Sequence, residues 1–330
     1  LVSCAVGSFV VEKASRNLAL QEENESSKEI QGNERILISL AYPETVSELV
    51  GLGLMMKPKK SETPVYALHI VSDGLDDGKA STIGKKMLDK ALTYAAATES
   101  QITPLSRFDS NISNGITYTI KEHNITDVLI GLHKEAEQSN FFGPVAESIL
   151  QRTFETIFIY KSVQPFNTLR RILVVVPPLA ESEPGFAHWL NRLSIIGKEA
   201  DLPLVFYATN ETTIEIKDFF QGKTATTEFR RFDRWEDFLI LSRELKMNDL
   251  FFIVSSRNGN ISYNPELEKL PYYLINYFNN FSFIMLYPKQ MAHEINVDDI
   301  QAADPGLIET ISEINMVNKA GSFFKWLLKK

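Results

Sequence analysis

The residue types that could do chemistry cluster where apolar runs end. Ala41, Tyr42 and Pro43 close the run RILISLA at 35–41, Val71 and Ser72 close PVYALHIVS at 64–72, and Gly131, Leu132 and His133 close DVLIGL at 127–132. If these runs are strands of an open parallel sheet, a ligand sits outside their carboxyl ends, where the strand order reverses. Gly131 would let backbone approach a phosphate. A helix opening near Gly143, with Pro144 and Val145 in its first turn, would offer an anion free N–H groups and a positive dipole end. The same two glycines also fit simple loop punctuation. His133 is the only histidine in such a loop, where it meets either a phosphate or solvent.

Other motifs fail on their spacing. Gly222, Lys223 and Thr224 spell the end of a phosphate-binding loop, but Lys217 stands where its first glycine belongs and no apolar run feeds it. Gly51 and Gly53 begin a dinucleotide fingerprint, but Met56 occupies the third glycine position and the pair lies inside a helical pattern. His69 and His188 have no second ligand at metal spacing and read as structural. Asp76 and Asp77 lack further oxygen ligands for a cation. No serine sits in a Gly-x-Ser-x-Gly turn, so nothing points to an activated nucleophile and no enzyme is expected. Ser255, Ser256 and Arg257 follow another apolar run, where they would either bind an anion or face solvent.

The elements that must position these residues alternate. After 35–41 come Val46, Leu49, Val50, Gly53 and Leu54 at helical spacing. After 64–72 come Ile83, Met87, Leu88, Ala91, Leu92 and Ala95. A third run at 101–108 precedes the face Ile112, Ile116 and Ile120, and 127–132 precedes Val145, Ile149 and Leu150, with FETIFIYK at 154–161 closing the series. This βα alternation calls for a doubly wound open parallel sheet with five strands and helices on both faces. The order then repeats: RRILVVVP echoes RILISLA, NDLFFIVSS echoes TDVLIGLH, and FSFIMLYP echoes FETIFIYK, at offsets of roughly 120 to 136 residues. Two such five-stranded sheets in tandem are expected, as separate sheets packed closely. The second carries Tyr272, Tyr273, Tyr277 and Phe278 on one helix, either for its own core or for an interface.

Composition agrees with this class. With 330 residues, 44% hydrophobic and 23% charged, the chain can bury two cores. A net charge of −8 disfavours nucleic acid, and Cys4, the single cysteine, excludes an intrachain disulfide. Residues 1–12, LVSCAVGSFVVE, fit either the last turns of a membrane-spanning helix or an amphipathic surface helix, with 13–33 as a polar linker. The 289–330 tail ends in aromatic and basic residues that suit either an amphipathic helix or a frayed terminus.

The segments at 34–161 and 170–288, joined by 162–169, resemble tandem universal stress protein domains. The resemblance rests on the βα order, on RILISLAYPET, and on DVLIGLHKEAEQSNFFGPVAESILQRTFETIFIYK. It implies an adenine nucleotide site with a Gly-x-x-Gly, nine residues, then Gly-Ser/Thr. Here Gly131 matches, Lys134 replaces the second glycine, and Gly143-Pro144 is one residue early with proline for the hydroxyl. Ala41 and Tyr42 stand where an acidic residue is usual. ATP or another adenine nucleotide is therefore expected to bind weakly or not at all, and the second half to have lost small-molecule binding. The arrangement is also similar to the cytoplasmic region of bacterial monovalent cation:proton antiporters. That implies a regulatory module attached to a membrane-embedded antiporter domain upstream in the same chain, with homodimers expected. The alternatives are a stand-alone stress protein with weak ATP binding or hydrolysis, and a dimerisation module.

Overall fold

The computed structural model describes residues 34–58, 61–72, 77–132 and 140–290, the side chains of 77–80 excepted. The expected spanning helix, the linker, the tail beyond Gln290, and His133, Lys134, Asp76 and the Asp77 side chain lie outside the described residues. Among those described, no helix is long and apolar enough to cross a membrane.

The first half runs β1 (Ile36–Ser39), α1 (Val46–Met55), β2 (Val65–Val71), α2 (Asp77–Ala97), β3 (Thr103–Phe108), α3 (Ile112–Glu122), β4 (Asp127–Gly131), α4 (Gly143–Arg152) and β5 (Thr156–Lys161). The second runs β6 (Arg171–Val175), α5 (Phe186–Glu199), β7 (Leu204–Ala208), α6 (Asn210–Phe220), β8 (Thr227–Arg231), α7 (Leu241–Glu244), β9 (Asp249–Val254), α8 (Leu270–Asn276) and β10 (Ser282–Tyr287). Polar residues mark where helices start. The Asn111 side chain accepts from the Ser113 and Asn114 amides ahead of α3, and Thr209 accepts from the Thr212 amide ahead of α6.

The strand order is β3-β2-β1-β4-β5-β10-β9-β6-β7-β8. Each half is a parallel five-stranded unit of the same order, as the repeat implies. The expectation of two separate sheets is corrected: β5 and β10 pair antiparallel, Ile159 opposite Met285, and make one ten-stranded sheet. The physical reason lies in the strands themselves. TIFIYK and SFIMLY are buried along almost their whole length, and strands this apolar left as edges would expose rows of unpaired N–H and C=O groups. The true edges are polar. β3 contains Pro104 and Arg107, β8 contains Glu228, Arg230 and Arg231, and both are largely exposed.

Strand alternation sends one core to each face, and each core crosses from one half to the other. Phe158 and Tyr160 join Ile38, Val50, Trp189, Phe206 and Phe252 under α1, α2, α5 and α6. Ile157 and Ile159 join Ile116, Ile149, Phe238, Leu270 and Met285 under α3, α4, α7 and α8. A fully buried side chain of this size contributes about 1.5–3 kcal/mol, so the shared cores hold the halves together. Because the central pair is antiparallel, the first half's strands end at one rim of the sheet and the second half's strands end at the opposite rim.

Candidate functional site

At the first rim, β1 and β4 are neighbours whose connections leave in opposite directions, which creates the crevice that a doubly wound sheet offers a ligand. Ala41 and Pro43 are exposed and Tyr42 is half-buried in the turn after β1, where the Tyr42 carbonyl accepts from the Thr45 amide and hydroxyl at 3.2 and 3.1 Å. Lys90 reaches over from α2 to the Pro43 carbonyl at 2.7 Å. Gly131 ends β4 beside α1: a Cβ there would stand 3.3 Å from Leu49 Cδ1 and 3.9 Å from Thr45 Oγ1. Tyr42, Thr45, Leu49 and Gly131 thus share the crevice. Val71, at the end of β2, is buried one strand further out.

Gly143 opens α4 at φ +77°, a left-handed conformation that suits glycine. The chain reaches it over the seam between the halves. Phe141 stacks on Phe283 at 6.3 Å and Phe142 meets Tyr287 edge-on at 6.1 Å, both on β10, two strands from β4. Gly143, Pro144 and Val145 therefore begin α4 beside the second half. Proline in the first turn also removes one amide that would face an anion.

The second rim is laced with polar ties. Arg257 does not face an incoming anion, as its position after a strand allowed. Its guanidinium donates to the carbonyls of Pro288 (2.6 Å), Glu155 (2.9 Å) and Leu150 (3.3 Å), and to Gln290 Oε1 (3.4 Å). Burial lowers its pKa to about 10. Gln290 Nε2 donates to Ser256 Oγ at 2.8 Å and the Gln290 amide to the Phe154 carbonyl at 3.2 Å. Buried Glu183 accepts from the Ser262 amide and hydroxyl at 3.0 and 2.6 Å, fixing the loop after β9 across the mouth. Gly185 lies so close to the exit strand that a Cβ would fall 2.7 Å from the Lys289 backbone.

The same rim holds a buried charge cluster that sequence reasoning missed. Arg192 and His188 of α5 reach into the first half. Arg192 Nη2 meets Asp127 Oδ2 at 2.6 Å, Arg192 Nη1 meets Glu34 Oε2 at 3.0 Å and the Met56 carbonyl at 2.9 Å, and His188 Nε2 meets Asp127 Oδ1 at 2.7 Å. Burial opposes the charge on Asp127, yet Arg192 and His188 hold its carboxyl well below the usual carboxylate range. Burial likewise disfavours protonated His188, but the Asp127 carboxylate outweighs it and pushes the imidazole up to about 9. A signal was present: Arg192 falls on the core face of its helix with Trp189, Leu193 and Ile196, where an unpaired charge would not survive.

The aromatic set expected on one helix divides its roles, and α8 ends at Asn276, so Tyr277 caps it and Phe278 follows it. Phe278 is buried and Tyr273 stacks on Phe238 at 5.8 Å, while Tyr272 and Tyr277 are exposed. His69 lies under α2 and bonds the Leu40 carbonyl at 3.0 Å, as a structural histidine would. Among the described residues no three His, Cys, Asp or Glu side chains gather at metal distance.

No family model matches the chain, and no curated protein sequence matches it. Solved structures do. A universal stress protein from Archaeoglobus fulgidus superposes with a TM-score of 0.54 at 12% identity, covering 79% of this chain and 97% of its own. The cytoplasmic domain of a prokaryotic cation chloride cotransporter superposes with a TM-score of 0.52 at 9% identity, covering 78% and 96%. A protein of unknown function from Pseudomonas aeruginosa PAO1 gives 0.51 at 11% identity, covering 79% and 94%. At such identities the likeness is one of fold, and this chain has the mostly parallel, doubly wound α/β fold of universal stress proteins, a fold that also serves as the cytoplasmic domain of a transporter.

Proposed function

We propose that this chain is the regulatory module of a monovalent cation:proton antiporter, joined to the membrane-embedded domain upstream. The observation that carries this reading is the match of the two-half body to a transporter's cytoplasmic domain over 96% of that domain's length. Regulation would come from a ligand or partner that binds one arrangement of the module better than another, a coupling that is typically about 1–3 kcal/mol. The crevice formed by Tyr42, Thr45 and Gly131 suits an adenine nucleotide by its place in the fold. Without an acidic residue at Ala41 or Tyr42, and with Pro144 at the start of α4, it should hold ATP weakly. Among the described residues of this crevice no nucleophile stands beside a base, and the role we propose for it is binding.

The test is cation/proton exchange in vesicles carrying the full-length polypeptide, with and without residues 34–290, in the presence and absence of Mg-ATP. Exchange altered by the deletion supports the proposal. Exchange unchanged by it, or a native polypeptide without membrane segments, overturns it in favour of a stand-alone stress protein, the reading that the Archaeoglobus fulgidus match supports. Calorimetry adds a second check: a submicromolar dissociation constant for Mg-ATP would contradict weak binding. The β5 edge is already covered by β10, so a homodimer would form through β3, β8 or a helical face.

A further inference from the structure

A cavity of about 290 Å³ opens at the second rim where the halves meet, at the small end of the ~300–1,000 Å³ typical of ligand pockets. The first half contributes Phe141, Phe142 and Glu147, and the second contributes Ser255, Ser256, Tyr263, Leu267, Glu268, Pro271 and Tyr287. Among these ten described residues four are aromatic, two are carboxylates and none is basic. Glu268 accepts a hydrogen bond from the Tyr263 hydroxyl, which holds its carboxylate beside an aromatic ring. The Tyr287 ring meets Phe142 edge-on at 6.1 Å, so this ring too is held in place. Arg257 lies 5.8 Å from the centroid of the Tyr287 ring, and its donors are directed to the Pro288, Glu155 and Leu150 carbonyls and to Gln290, outside the lining. Among the described lining residues the two carboxylates are the only charged groups.

This lining repels phosphate and attracts positive charge. A metal ion is a poor fit, because it would need more oxygen ligands than two separated carboxylates supply. Aromatic faces and carboxylates together are the chemistry that binds an organic cation, where the ring quadrupole contributes about 0.5–2 kcal/mol per contact. We propose that this cavity binds a small free alkylammonium or quaternary ammonium compound. Bound there, the cation would touch both halves at once. The inference does not depend on attachment to a transporter.

The test uses the intact chain, with binding of choline and putrescine followed by calorimetry and ligand-observed NMR, and 3,3-dimethylbutanol as the uncharged isostere of choline. Saturable binding of a cation, at least about tenfold tighter than the isostere and weakened about tenfold in E147Q/E268Q, is the expected result, tenfold corresponding to ~1.4 kcal/mol. Both glutamates are exposed, and an unchanged melting temperature will show that the variant is folded. Equal binding of the isostere, no saturable binding by either amine, or an undiminished affinity in the folded variant would each overturn the proposal. Binding of a lysine-containing peptide but of neither free amine would overturn the assignment to a small free ligand.

Discussion

Asp127 and Asp249 occupy the same place in the two halves: each is the first residue of the fourth strand of its unit, and each is buried. Asp249 finds its cation at home. Arg171, on the neighbouring strand β6, meets it with two parallel bonds of 2.9 and 2.8 Å, and the Lys246 amide donates to the same carboxylate. Asp127 has no such neighbour in its own half, because the first half carries Ile36 where the second carries Arg171. Thr126 donates its hydroxyl to Asp127 Oδ2 at 2.7 Å, but the charged partners, Arg192 and His188, come from the other half. A duplicated position has thus become an internal brace in one half and a tie between halves in the other. Repetition set the backbone plan, and at this position the halves differ in where the arginine that meets the aspartate is placed.

This contrast can be broken by substitution. The largest effect is expected from Arg192→Met, which leaves Asp127 and Glu34 buried with only His188 for charge. Removing one partner of a buried pair costs about 3–5 kcal/mol, so the urea midpoint should fall sharply. Adding Asp127→Asn should recover part of the loss. Arg171→Met should cost less, about 2–3 kcal/mol, since Arg171 is partly exposed and the Lys246 amide still serves Asp249. Hydrogen exchange distinguishes the two cases: Arg192→Met should raise exchange in both halves, Arg171→Met chiefly in β6 and β9. Equal patterns would mean that the two aspartates do the same job.

The third expectation concerns pH. The folded-state pKa of His188, about 9, lies above its ordinary value of 6.5, so its contribution is fully present below about pH 6.5 and is lost as pH rises through about 9. Asp127, Glu34 and Arg192 are the charged groups facing it. Stability should fall by on the order of 2 kcal/mol between pH 6.5 and 9, and His188→Gln should flatten that slope. A slope equally steep in the variant would place the titrating group elsewhere. The smallest effect belongs to the loop over the second mouth. Ser262→Ala removes the hydroxyl bonded to Glu183 and should cost about 1 kcal/mol, seen as faster exchange at 257–264 with little change in the global midpoint.

Much of the fold was legible because burial leaves its period in the sequence. The runs at 35–41, 64–72 and 127–132 correspond to β1, β2 and β4, and the helix faces through Ile116 and Ile149 face the core. The sequence reading assigns neither β7 nor β8. β8, TEFRR, is an edge strand whose charges carry no apolar pattern, and β7 is a short run between two helical patterns. The joining of the sheets was readable in principle, since TIFIYK is too apolar for an edge. The strand-end residues Ala41, Tyr42, Pro43 and Gly131 were legible because topology alone locates the ends of strands. The ties at the second rim were not. Arg257 bonds carbonyls more than a hundred residues earlier in the chain, and main-chain oxygens have no side-chain signature.

The antiparallel seam has a consequence for how the chain is made. Ile159 of β5 waits for Met285, 126 residues further on. At a translation rate of about 5–20 residues per second, the gap lasts roughly 6 to 25 s. During that interval the first half has a long, unprotected hydrophobic edge of the kind that pairs with any strand at hand, including the same edge on a neighbouring nascent chain. Truncation before β10 should therefore give a product that clumps in the cell, and co-expressing residues 162–290 as a separate piece should restore it to solution.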